Sequence, residues 1–166
     1  MFEHACRWYR IHLERGGSPV SLAVNVSKAG LFQNDFVDFY TDIKDKYSVP
    51  DGVLELEFTE SMLAADTELF AELVVNLNAR GFICSLDDFG SGYSSLNLLK
   101  NLPIDVLKLD ILFFHKSRDI RRERIVVSNV INMARELNIK TIADGRGRSM
   151  DTVEFPQKGR LQCDAR

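Results

Sequence analysis

Residues 53–59 read Val53-Leu54-Glu55-Leu56-Glu57-Phe58-Thr59, and this stretch carries the clearest structural signal in the chain. Leu54, Leu56 and Phe58 alternate with polar residues, which is the pattern of a β-strand with one apolar face. A turn sequence, Pro50-Asp51-Gly52, comes directly before it. Glu57 lies on the face opposite to Leu56 and Phe58, so this one strand predicts both an apolar face and a polar one.

Strands and helices alternate on both sides of this stretch. Upstream, the patterns predict a helix at residues 3–15, a strand at 20–27 and a helix at 33–47. Downstream they predict a helix at 66–80, strands at 82–86, 105–110 and 139–143, and intervening helices at 94–101 and 123–137. Repeated βα units favour a parallel sheet covered by helices, and a barrel is its natural closed form. Residues after Gly145 show neither a helical period nor a strand period, so the tail is unassigned, and a C-terminal strand is neither predicted nor excluded.

Length and composition narrow the classes of protein. The 166 residues are few for an eight-stranded α/β barrel of about 250 residues, so a smaller fold or an incomplete barrel is expected. With 45% hydrophobic and 27% charged residues, no membrane segment and no export signal, a soluble cytoplasmic protein is expected. The net charge of -3 argues against a DNA or RNA polymer as partner. Three cysteines without close pairing are interpreted as free thiols, and Trp8, Phe32, Phe36 and Phe39 are expected to pack helices on the barrel.

Polar residues recur at the ends of the predicted strands. In an α/β barrel the carboxyl ends of the strands form the active-site face. Carboxylate and amide oxygens are hard ligands that suit Mg²⁺ or Mn²⁺, and two such ions with a nearby lysine could hydrolyse a phosphodiester. The alternative is that these acids bind helix N-termini or solvent. The residues at or near strand ends are Asn25, Glu57, Asp87, Lys108 and Asp144.

The segment that begins at Asp87 is more specific than any single acid. It reads Asp87-Asp88-Phe89-Gly90-Ser91-Gly92-Tyr93-Ser94-Ser95, with two glycines that permit a tight loop and serines that can cap the next helix. The Asp-Phe-Gly triplet also occurs in protein kinases, but a kinase is excluded because no glycine-rich nucleotide loop and no His-Arg-Asp segment come before it.

Five stretches together resemble the EAL domain family, in order and at its usual spacing, over roughly residues 3–145. They are Val24-Asn25-Val26-Ser27, Leu56-Glu57-Phe58-Thr59-Glu60-Ser61, residues 86–96 (LDDFGSGYSSL), residues 102–110 (LPIDVLKLD) and Thr141-Ile142-Ala143-Asp144-Gly145.

This resemblance implies a modified TIM barrel that hydrolyses cyclic di-GMP to pGpG with two Mg²⁺ or Mn²⁺ ions. It assigns Lys108 to positioning the attacking water. It assigns Glu60 to holding the loop 88–95, which couples metal binding to homodimer formation in the family. The implied metal ligands are Asn25, Glu57, Asp87 and Asp88, and the implied substrate-binding loop contains Phe89, Gly90, Ser91, Gly92, Tyr93 and Ser94.

The sequence also departs from the family pattern. The Glu-Ala-Leu of the first barrel strand, with its metal-binding glutamate, and a nearby arginine have no counterpart here. Asp144 stands where the family has a catalytic glutamate, and residues 146–166 form a divergent tail. We therefore expect one partial EAL domain over residues 1–166, with its first strand missing and with little or no phosphodiesterase activity. The alternatives are a degenerate EAL domain that binds cyclic di-GMP or a protein without catalysis, and a gene remnant.

Overall fold

The computed structural model describes residues 1–63, 66–90, 96–110, 120–143 and 161–163, in which helices and strands alternate. The helices are α1 (Phe2–Glu14), α2 (Phe36–Lys46), α3 (Glu60–Leu63), α4 (Thr67–Ala79), α5 (Leu96–Asn101) and α6 (Ile120–Glu136). The strands are β1 (Leu22–Asn25), β2 (Leu54–Thr59), β3 (Ile83–Phe89), β4 (Val106–Leu109), β5 (Lys140–Ala143) and β6 (Leu161–Cys163). No helix in these ranges is long and apolar enough to cross a membrane.

The strands form one parallel sheet in the order β5-β4-β3-β2-β1-β6. Strands β1 to β5 are neighbours in the order of the sequence, as expected for successive βα units. The order leaves β5 and β6 at the two edges, so the described strands form an open sheet. The predicted α/β architecture, an incomplete barrel, is confirmed.

The tail contains a short strand that the local sequence pattern did not predict. Strand β6 pairs with β1 in parallel, with Leu161 beside Leu22 and Cys163 beside Val24. Three residues are too few to show a period of two, so no pattern could predict this strand. Its position follows from the backbone hydrogen-bonding groups that β1 presents on the side away from β2.

The apolar face of the sheet packs against the helices. Phe58 of β2 meets Phe70 of α4 edge-on, with ring centroids 5.1 Å apart and both side chains fully buried. The alternation that predicted this face is therefore confirmed. Its buried strand residues are Leu22, Val24, Leu54, Leu56, Phe58, Cys84, Leu86, Leu107 and Leu109.

The expected packing of four aromatic residues is confirmed only for Phe36, which is 7% exposed. Trp8, Phe32 and Phe39 are 41%, 38% and 55% exposed, so the prediction is wrong for them. Trp8 stacks on His12 of its own helix, and Phe39 meets Tyr40 edge-on. Residue type does not reveal which side of a helix faces the sheet. Helix α2 buries Phe36, Thr41 and Lys44 and leaves Phe39 exposed.

Two cysteines are confirmed as buried free thiols, Cys6 on α1 and Cys84 on β3. Burial raises the pKa of Cys6 to about 12, and burial also raises the pKa of Cys84. Because the thiolate is the reactive form, both groups are protected in the native protein.

We expect Cys6 and Cys84 to react with a chromogenic disulfide reagent only as fast as the protein opens. A Cys163→Ser variant removes the third thiol, so its absorbance trace reports these two alone. The same variant in concentrated urea provides the rapid reference rate. Rapid labelling of two thiols in native buffer would contradict the buried positions.

Candidate active site

The face of the sheet opposite to the apolar core is polar at its centre. Asn25, the last residue of β1, stands beside Glu57 of β2, and Glu57 stands beside Ser85 of β3. Asp87 lies two residues beyond Ser85, and Lys108 lies two residues beyond Val106, the partner of Ser85 in β4. Since side chains two residues apart share a face, four strands contribute to one polar surface near their carboxyl ends.

Glu57 and Lys108 form a buried ion pair at the centre of this surface. The Lys108 ammonium donates a hydrogen bond to Glu57 Oε1. Glu57 is 1% exposed and Lys108 is 7% exposed. Within the described part of the chain, the second carboxylate oxygen, Glu57 Oε2, is buried without a hydrogen-bond partner. A buried acceptor without a partner lowers the stability of the fold unless a donor or a cation reaches it.

Burial raises the pKa of the Glu57 carboxyl, and the charges of Asp87 and Glu55 raise it further, whereas Lys108 acts in the opposite direction. Burial and neighbouring acids thus disfavour the ionised form, and the ammonium favours it. A cation bound at Glu57 would add to the effect of Lys108. The electrostatics of the site therefore favour an additional positive charge.

A β-bulge shapes the end of β3. Leu86 pairs with Leu107 and Phe89 pairs with Leu109, so both Asp87 and Asp88 stand opposite the single residue Lys108. Asp88 adopts a left-handed backbone with φ 58°, and its N–H donates a hydrogen bond of 3.0 Å to Asp87 Oδ1. Asp87 is half-buried and Asp88 is exposed. The bulge places two consecutive acids opposite one position of β4 and returns Phe89 to the apolar core.

The structure describes only some of the remaining predicted site residues. Glu60 is partly buried and begins the short helix α3, directly after the strand that carries Glu57. Gly90 follows Phe89 with φ 96°, a conformation that suits glycine. Five predicted site residues lie outside the described residues, namely Ser91, Gly92, Tyr93, Ser94 and Asp144.

Glu55 is a buried acid of this surface that was not among the predicted site residues. It precedes Glu57 by two residues, is 2% exposed, and has Oε1 3.9 Å from the Lys108 ammonium. The signal was available, because a residue two positions before Glu57 on the same strand must share its face. It was missed because Glu55 lies farther from the end of the strand.

The described residues provide hard oxygen donors, which are the right chemistry for Mg²⁺ or Mn²⁺. Asn25 supplies an amide oxygen, and Glu57 and Asp87 supply carboxylates. Within the described ranges, no three His, Cys, Asp or Glu side chains come close enough together to hold a metal ion by themselves. The donors therefore fit the ion by type, with Glu57 Oε2 as the clearest single acceptor.

The fold and the site define an α/β domain of the barrel type with an acidic site at the carboxyl ends of its strands. The chain belongs to the EAL domain family, whose sequence profile matches residues 1–145. The fold and the family that the sequence resembled are thereby confirmed.

Two named proteins are similar to this chain in sequence. Signaling protein YkoW of Bacillus subtilis is 32% identical over 164 residues, which is 99% of this chain and 20% of that protein. The bifunctional diguanylate cyclase/cyclic di-GMP phosphodiesterase MucR of Pseudomonas aeruginosa is 34% identical over 145 residues, 87% of this chain and 21% of that protein. The chain thus spans about a fifth of the length of these relatives.

A solved structure of the MucR phosphodiesterase in complex with c-di-GMP has the same fold. It superposes with a TM-score of 0.76 at 34% identity and covers 89% of this chain and 60% of that chain.

Proposed function

We propose that this chain forms a cyclic di-GMP phosphodiesterase site that hydrolyses its substrate to pGpG with two Mg²⁺ or Mn²⁺ ions. The observation that carries the proposal is the buried Glu57–Lys108 pair, in which Glu57 Oε2 has no hydrogen-bond partner in the described part of the chain. Membership of the EAL domain family supports it, as does the name of the relative MucR.

Asn25, Glu57, Asp87 and Asp88 would hold the metal ions in this proposal. Bound divalent ions supply charge to the phosphodiester and lower the pKa of an attacking water. Lys108 contributes a positive charge next to the same carboxylate, in surroundings from which water is largely excluded. Such a charge stabilises the negative charge that develops on phosphate more strongly than it would in bulk water.

Two further assignments belong to the same proposal. Glu60, at the start of α3, would hold the loop 88–95, and Asp144 would serve as the acid at the end of β5. A cytoplasmic location remains a prediction of the sequence.

We expect the chain to turn over cyclic di-GMP slowly, because Asp144 stands where the family has a catalytic glutamate and its side chain is one methylene group shorter. Incubation with cyclic di-GMP and Mn²⁺, followed by chromatography, should show a small amount of pGpG, and calorimetry should show binding of the nucleotide. Omission of Mn²⁺ is the control and should abolish the product.

The outcomes of that experiment separate the possibilities. Binding without product would favour a non-catalytic cyclic di-GMP-binding module. Neither binding nor product would refute the proposal. Turnover at the rate of an intact phosphodiesterase such as MucR, assayed in parallel, would contradict the expectation of a slow enzyme.

A homodimer is the proposed assembly, and its formation should increase when Mn²⁺ is present, because the loop held by Glu60 is expected to connect the metal site with the dimer contact. Analytical ultracentrifugation with and without Mn²⁺ measures the monomer fraction. A sedimentation profile that shows only monomer in both conditions would contradict this assembly.

A further inference from the structure

Three charged side chains are buried together on the polar surface. Glu55, Glu57 and Lys108 are 2%, 1% and 7% exposed. The Lys108 ammonium contacts Glu57 Oε1 and lies 3.9 Å from Glu55 Oε1. Glu55 and Glu57 are two residues apart on β2, so their side chains lie on one face within reach of the same ammonium.

The Lys108 ammonium lies within reach of two carboxylates but contacts them unequally. A buried ammonium is costly unless a carboxylate pairs with it, so Lys108 needs one of these two acids. At 3.9 Å the ammonium is outside hydrogen-bonding distance of Glu55, although it is close enough for a strong Coulomb attraction. Lys108 is thus shared unequally between two acids, with Glu57 as its present partner.

We propose that Glu55 is a positioning residue that receives the Lys108 ammonium when a divalent cation occupies Glu57. This deepens the proposed function, and its metal-bound half rests on that function. A divalent cation on Glu57 Oε2 draws negative charge away from the whole carboxylate, so Oε1 becomes a weaker acceptor for the ammonium, which is itself repelled by the new charge. The lysine stem is flexible, so a movement of about 1 Å brings the ammonium into hydrogen-bonding distance of Glu55.

The transfer gives Glu55 a distinct role in the site. It keeps the ammonium buried and paired after Glu57 has taken the metal, so Lys108 stays beside the proposed metal site. Without Glu55, a cation at Glu57 would leave the buried ammonium without a carboxylate of this group, and metal binding would have to offset that cost.

The first test needs no metal. In a Glu57→Gln variant the charge of Glu57 is removed at nearly constant shape, which imitates a carboxylate whose charge a cation has neutralised. A crystal structure of this variant should show Lys108 Nζ at about 2.8–3.0 Å from a carboxylate oxygen of Glu55. An ammonium that stays bound to residue 57 and away from Glu55 would overturn the transfer.

Double-mutant cycles give a second metal-free measurement. The coupling between Lys108→Met and Glu55→Gln is measured by urea unfolding, once with Glu57 present and once in the Glu57→Gln background. The coupling is expressed as a factor in the unfolding equilibrium constant. We expect this factor to be roughly tenfold larger in the Glu57→Gln background than with Glu57 present. A cycle of Lys108→Met with Glu72→Gln, an exposed acid of α4, is the matched control and should show no coupling. Equal couplings in both backgrounds would refute the proposal, and if a methionine variant does not fold, the crystal structure of Glu57→Gln decides.

The second test uses Mn²⁺ alone and calorimetry. Glu55→Gln should weaken Mn²⁺ binding roughly tenfold while Lys108 is present, as loss of a supporting partner does at other metal sites. In the Lys108→Met background the same substitution should have much less effect, because no ammonium then needs a new partner. An equal loss in both backgrounds would mean that Glu55 acts through its charge alone and would overturn the transfer. If the unaltered protein binds no Mn²⁺, the proposed function fails, and the metal-free tests still decide the role of Glu55.

Discussion

Replacing Glu57 by glutamine is expected to weaken Mn²⁺ binding by at least about a hundredfold, since loss of even a supporting partner of a metal ligand costs about 10–100-fold. Glu57 is central among the proposed ligands, because it is buried, contacts Lys108 and has the acceptor Oε2 without a hydrogen-bond partner in the described part of the chain. Glutamine keeps the shape but removes the negative charge that attracts the ion. Titration calorimetry with Mn²⁺ measures the change.

The control for this prediction is Glu72→Gln on α4, which removes the same charge from an exposed position and should leave Mn²⁺ affinity within about twofold, because charges exposed to solvent are strongly screened. Circular dichroism on both variants checks that the fold is retained. A Glu57→Gln protein that binds Mn²⁺ as tightly as the unaltered chain would remove Glu57 from the ligand set, whatever the nucleotide assays show.

The sequence was sufficient to predict the sheet because its strands carry strong local patterns. In β2 the alternation of Leu54, Leu56 and Phe58 with two glutamates specifies which side faces the helices. The same alternation placed Glu57 on the opposite face, where the structure joins it to Lys108 in an ion pair. A period of two is a property of the backbone, so it transfers directly from sequence to structure.

The rest of the site depends on relations between strands, which a single sequence does not record. The bulge that sets Asp87 and Asp88 against one lysine is a mismatch in register between β3 and β4. Glu55 and Lys108 are likewise neighbours across two strands, although they are 53 positions apart in the chain. The three-residue strand β6 is defined by its partner β1, and local pattern could not have found it.

Phe58→Ala is expected to lower the free energy of unfolding by about 3–5 kcal/mol, the usual cost of removing a large buried aromatic side chain. Phe58 is fully buried in β2, between β1 and β3, and its ring meets Phe70 edge-on at 5.1 Å. Its removal leaves a cavity on the apolar face of β2 and deprives the Phe70 ring of its partner. Urea unfolding followed by circular dichroism measures the loss.

The matched control is Phe39→Ala, the same substitution at a ring that is 55% exposed, for which a change within about 1 kcal/mol is expected. Since domains are stable by only about 5–15 kcal/mol, the Phe58 variant should be close to its unfolding transition while the Phe39 variant is not. Phe58→Leu should fall between them, because leucine fills most of the space but loses the ring contact. If Phe58→Ala and Phe39→Ala cost the same, the apolar face of β2 does not form the core. The opposite face could then not be the buried site that holds Glu57, because the two faces of one strand are fixed together.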